Sequence, residues 1–100
     1  MIKHVILWQL KEEVQGEEKK AVMAGINSGL EGLAGQIPGL LDIKVQTECM
    51  ASSNADVMLD STFVDEAALK TYASHPAHVN VADTKVRPYT KTRVCMDFEV

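Results

Sequence analysis

Ile2, His4, Ile6, Trp8 and Leu10 alternate with Lys3, Val5, Leu7 and Gln9. A period of two predicts a β-strand over residues 2–10. The second face is only half polar, which is the pattern of a strand covered on both sides. From Glu17 the period changes. Val22, Ile26, Leu30, Leu33 and Ile37 recur at spacings of four, four, three and four, predicting one apolar helical stripe over Glu17–Ile37. Glu17 and Glu18 suit the positive end of that helix, and Pro38 with Gly39 ends it. Gly25, Gly29, Gly32 and Gly35 fall inside it. Each costs roughly 0.8–1 kcal/mol against alanine in a helix interior. Three readings stand: a tolerant surface, close approach to a neighbouring helix or ligand, or a break near Gly32 to Gly35.

The period of two returns at Leu41, Ile43, Val45 and Thr47, then again at Val57, Leu59, Ser61 and Phe63. Ala51 to Ala55 is the turn between these two strands. A short helix follows, capped by Asp65 or Thr62 and carrying Ala68, Leu69 and Tyr72. Pro76 restarts a helix at its favoured first position, running to about Lys85. Val94, Met96, Phe98 and Val100 alternate with Arg93, Cys95, Asp97 and Glu99 as the last strand. Strand, helix, strand, strand, helix, strand describes a ferredoxin-like βαββαβ fold of the α+β class. Strands one and three are then central, with two and four at the edges. Lys3, Val5, Leu7 and Gln9, with Met58 and Thr62 beside them, are too apolar for open water. A second copy of the sheet would cover them as a symmetric homodimer.

One hundred residues predict one domain, 1–100, small enough for oligomerisation to hide useful apolar surface. A net charge of −4 argues against nucleic acid and against an anionic membrane surface as partners. No apolar run approaches the roughly 18 residues of a membrane span. Lys11-Glu12-Glu13 stands where a signal peptide would carry its small-residue cleavage site, so the expected location is the cytoplasm. Cys49 and Cys95 lack metal-binding or redox spacing and read as separate, reduced thiols.

The candidate chemistry centres on Tyr72-Ala73-Ser74-His75-Pro76-Ala77-His78. Two histidines three apart could share a metal, but zinc wants three or four ligands and no further set is apparent. No metal is therefore expected. Pro76 makes His75 the cap, so His75 and Pro76 have a structural role. His78 falls in the first helical turn, where the dipole disfavours imidazolium and leaves a neutral base. Tyr72 can donate a hydrogen bond to a carbonyl or developing oxyanion. His4 is the polar exception on an apolar strand face. These three groups lie on surfaces that should face one another across an apolar cavity. Ile6, Trp8, Ile26, Leu30, Val57, Leu59 and Val79 are its expected wall. Phosphate-loop, nucleophile-elbow, paired-carboxylate, haem and flavin signatures are missing, so no cofactor is expected.

Four segments together carry a resemblance: "IKHVILWQLKE" (2–12), "IPGLLDIKVQ" (37–46), "TFVDEAALKTYASHPAHVNV" (62–81) and "RVCMDFEV" (93–100). The chain resembles the Dabb family, the stress-responsive dimeric α/β-barrel domain proteins. The resemblance implies a homodimer whose two sheets form a central barrel, with a sheet–helix pocket in each subunit. In plant members acting as polyketide cyclases, positions matching His4, Tyr72 and His78 line that pocket, the last two as acid–base groups. This chain departs from them at Val57, where such a cyclase has a further histidine. It departs again over Ile26 to Leu30, where a pocket tyrosine has no match. Some members hold a cation on backbone carbonyls, here around Ala34 to Leu40. The expected function is binding of a small apolar, aromatic or carbonyl-bearing molecule, with cofactor-free cyclase- or isomerase-like chemistry. A non-enzymatic ligand-binding or stress-protective role is the alternative. Monooxygenase-like activity, as in related barrel families, is a third.

Overall fold

β1 (Ile2–Leu10) runs down the middle of the sheet because both of its neighbours pair with it. The computed structural model describes residues 1–100. β1 is antiparallel to β3 (Val57–Phe63) on one side and to β4 (Thr90–Glu99) on the other. β2 (Leu40–Gln46) adds outside β3, giving the order β2-β3-β1-β4. The expected central and edge strands are therefore the observed ones. The register sets His4 between Ser61 and Asp97, Ile6 between Leu59 and Cys95, and Trp8 between Val57 and Arg93. Within one chain this sheet is open.

The inner face carries the core. His4, Ile6, Trp8 and Leu10 are buried against Val57, Leu59, Ser61 and Phe63 of β3 and Ile43 and Val45 of β2. Helix α1 (Gly16–Glu31) covers them with Val22, Ile26 and Leu30, and α2 (Glu66–Ser74) adds Ala68 and Tyr72. Full burial of each large apolar side chain contributes about 1.5–3 kcal/mol.

The first helix is shorter than its stripe suggests. It ends at Glu31, and Gly32 to Gln36 form tight turns, with Leu33 N–H donating to Leu30 (3.1 Å) and Gln36 N–H to Leu33 (3.0 Å). Gly35 has φ +80°, a backbone state that side-chain-bearing residues rarely adopt. Leu33 and Ile37 nevertheless stay buried, so the turns continue the apolar stripe without the helix. Close approach accounts for Gly29: a Cβ there would sit 3.0 Å from Val81 Cγ1. Gly25 meets only the Lys85 chain and has room.

The second helical region departs further from a single continuous helix. Asp65, not Thr62, caps α2, its Oδ1 accepting from Ala68 N–H at 2.8 Å. The chain breaks at His75 and restarts as α3 (Pro76–Val81). It then widens into a π-helical turn over Ala82–Val86 and tightens into a 3₁₀ turn over Arg87–Tyr89. π turns are rare and recur beside functional sites. β4 begins at Thr90, three residues before the expected start, and its register against β1 shifts between Gln9 and Leu10, leaving Lys91 as the extra residue.

The outer face is apolar and open. Val94 and Met96 are 64% and 67% exposed, and Leu7, Phe98 and Val100 are also exposed. Lys3 bridges Asp60 (2.6 Å) and Thr62 (3.1 Å) across β1 and β3 on the same side. Both cysteines are free and exposed. No helix is long and apolar enough to cross a membrane.

Candidate active site

A cavity of about 600 Å³ opens between the inner face of β1 and β4 and the helical side formed by α2, α3 and the turns after them. That volume suits a small molecule. His4, Tyr72 and His78 all line it, together with Ile6, Trp8, Leu30 and Leu59. Three expected wall residues do not. Ile26 and Val57 are fully buried within the core, and at that level of the sheet Trp8 forms the wall. Val79 follows His78 directly on α3 and so projects about 100° away from it.

Tyr72 reaches the cavity from the last turns of α2. It is 1% exposed, packs on Phe63 with ring centroids 5.0 Å apart, and lies 4.1 Å from the His78 ring. Its hydroxyl has no hydrogen-bond partner in the protein. Leaving such a group unpaired costs about 1–3 kcal/mol. Burial pushes its phenol far above the usual range, against a smaller opposing pull from the Arg93 charge. Tyr72 therefore stays protonated and able to donate.

His78 is held by the helix break. His75 Nδ1 accepts from Ala77 N–H at 3.1 Å, closing the cap ahead of Pro76. His78 Nδ1 lies 3.3 Å from the Ala73 carbonyl. The carbonyl can only accept, so Nδ1 carries the proton and Nε2 is the basic nitrogen. Burial is the largest influence and lowers the His78 pKa below 6.5. The Ala73 carbonyl opposes it, while the charges of Arg87, His4 and Arg93 add to it. The neutral state thus comes chiefly from burial, and the six residues of α3 make only a small dipole.

His4 is oriented from β4. Its Nδ1 is hydrogen-bonded to Asp97 Oδ1, which leaves Nε2 as its other polar atom. The Cys95 thiol stands 3.7 Å from the same Nδ1 and 3.5 Å from the Asp97 oxygen. The three donor atoms lie within 4.8 Å of one another, close enough in principle for a metal ion. Here they satisfy each other: Nδ1 is taken by Asp97, and burial first, then Asp97, holds the thiol above its ordinary pKa. Over Ala34 to Leu40, where the resemblance implies a carbonyl-bound cation, the Ile37 and Gly39 carbonyls accept protein hydrogen bonds from Leu40 and Val64 N–H.

The alternation of the last strand did not mark Asp97 as the partner of His4, nor Arg87, Lys91 and Arg93 as cavity residues. A signal for the three bases was present: Arg87-Pro-Tyr-Thr-Lys-Thr-Arg93 holds them with no acid, in a chain with an acidic excess.

The architecture is similar to that of several solved structures. A dimeric protein of unknown function and ferredoxin-like fold from Bacteroides fragilis is 29% identical, over 99% of this chain and 95% of that one, with a TM-score of 0.92. A Dabb family protein from Mesorhizobium loti is 19% identical over 99% and 95%, with a TM-score of 0.75. A hydroxynitrile lyase from Passiflora edulis is 15% identical over 97% and 90%, with a TM-score of 0.72. At the latter two identities the likeness is one of fold alone. No curated protein matches the chain in sequence. The family model of the stress responsive A/B barrel domain matches residues 2–100, and the chain belongs to that family, Dabb.

Proposed function

We propose that the chain forms a homodimer through its outer sheet face, and that each cavity carries out cofactor-free acid–base chemistry on a small carbonyl-bearing or aromatic molecule. The observation that carries the reading is the Tyr72 hydroxyl, buried and unpaired beside His78 and His4. A bound carbonyl oxygen would accept its hydrogen bond and recover the cost of leaving it unmade. His78 Nε2, neutral at pH 7, would take a proton from the carbon next to that carbonyl. The electron pair then moves into an enolate whose oxygen rests on Tyr72. His4, fixed by Asp97, would orient the same oxygen. Environments that keep one group protonated and its neighbour unprotonated are the arrangement such chemistry needs.

The exposed apolar strip Leu7, Val94, Met96, Phe98 and Val100 supports the dimer, as does the dimeric Bacteroides relative. Ligand binding without turnover is the second reading, and the same unpaired hydroxyl would serve it equally. Titrating 2-acetylnaphthalene and 1-phenylbutane-1,3-dione into labelled protein tests both. Shifts at Tyr72 and His78, with conversion lost in His78→Ala, support the enzyme. Conversion retained in that variant refutes His78 as base, and binding without conversion supports the second reading.

A further inference from the structure

The chain has 14 acidic and 10 basic side chains, yet the cavity wall contains Arg87, Lys91 and Arg93 and no carboxylate. All three bases are exposed, so they form its rim, while Tyr72 and His78 lie deeper. Two of them have partners on the surface. Arg87 is bonded to Asp83 one turn earlier on the chain, and Lys91 reaches Glu12 at 3.3 Å. Exposed pairs of this kind contribute little and exchange readily for a ligand. Arg93 pairs with no carboxylate at all. It stands opposite Trp8 on the inner face, and its charge is felt at both Tyr72 and His78.

Lys91 and Arg93 stand two residues apart on β4, the spacing that sets both on one face, and both line the cavity. A guanidinium that touches the Cys95 thiol but pairs with no carboxylate, at the mouth of a cavity with an apolar wall and a polar floor, recognises a particular kind of molecule. Its planar fork matches a carboxylate through two parallel hydrogen bonds.

We infer that the molecule taken by this cavity carries a carboxylate at one end, bound by Arg93 with Lys91 and Arg87 beside it, while its carbonyl or aromatic end lies on Tyr72 and His78. The inference rests on the small-molecule reading of the cavity and adds a substrate class to it: aromatic or medium-length oxo acids rather than neutral ketones.

Naphthalene-2-carboxylate, naphthalene-2-carboxamide and 2-naphthyl phosphate separate the possibilities. Binding is measured by calorimetry, with NMR shifts at Tyr72 and His78 to locate each probe. The carboxylate should bind about tenfold more tightly than the amide at low salt, and the difference should shrink at 0.5 M salt. Arg93→Gln, an exposed substitution whose folding is checked by circular dichroism, should abolish the difference while leaving amide affinity within about twofold. Equal binding of carboxylate and amide overturns the anion inference and leaves the cavity reading standing. Failure of all three probes to bind overturns both. Tighter binding of the phosphate than of the carboxylate, lost in Arg93→Gln, reassigns the head group and overturns the carboxylate.

Discussion

Tyr72→Phe should make the resting protein more stable and the cavity less competent. Tyr72 is 1% exposed and its oxygen is unpaired, while its ring packs at 5.0 Å on Phe63 and 4.1 Å on His78. The substitution keeps those ring contacts and removes only the oxygen. Burying an unpaired hydroxyl costs about 1–3 kcal/mol, so phenylalanine should recover about 1 kcal/mol after allowing for relaxation. For a domain of this length that is a rise in Tm of roughly 4–8 °C. Thermal unfolding followed by circular dichroism, without ligand and at matched protomer concentration, reads the shift. Carbonyl ligands should lose about tenfold in affinity, because the donor that recognises them is gone. A loss of stability beyond about 1 kcal/mol would show that the hydroxyl is already bonded in the resting protein. The idea of a donor waiting for its ligand would then fail.

Further outcomes follow from the same geometry. The His78 pKa is lower in the folded chain than its unfolded value near 6.5, so the unfolded state binds more protons as pH falls. His78 should therefore contribute a stability that is full above about pH 6.5 and declines below it, and His78→Gln should flatten that part of a pH–Tm curve. Gly25→Ala meets only Lys85 Cδ at 3.7 Å and should stabilise α1 by about 0.8–1 kcal/mol in urea unfolding. Gly39→Ala should destabilise, since φ is +82° and a Cβ would lie 2.5 Å from that of Ala68. Met96→Lys, on the exposed apolar strip, should convert a dimer to a monomer by light scattering, and a monomeric wild type at micromolar concentration would contradict the proposed interface.

Much of the fold is legible in the chain because its strands keep a strict period of two. Ile2 to Leu10 gives the bounds of β1, and its two-sided apolarity points to the outer face that is in fact exposed. Helix ends were harder. Leu33 and Ile37 keep the apolar rhythm of α1 although the backbone has left the helix, because burial and not hydrogen bonding sets the spacing of apolar residues. The π turn at Ala82–Val86 has no sequence signature that separates it from a helix. His4, Tyr72 and His78 stood out as polar residues on apolar faces, and the structure lines one cavity with all three. Arg93 and Asp97 did not. On an edge strand, polar residues usually face water, and only the register with Trp8 and His4 turns these two toward the site.

Exchange of α-protons with solvent deuterium tests the central claim most directly. In D₂O at pH 7.5, NMR should show wild-type protein accelerating loss of the methylene signal of a bound aryl oxo acid, with no added cofactor. The account predicts that His78→Gln loses about a hundredfold or more of that acceleration while still binding the compound. An equal exchange rate in wild type and His78→Gln, with binding intact in both, would contradict it.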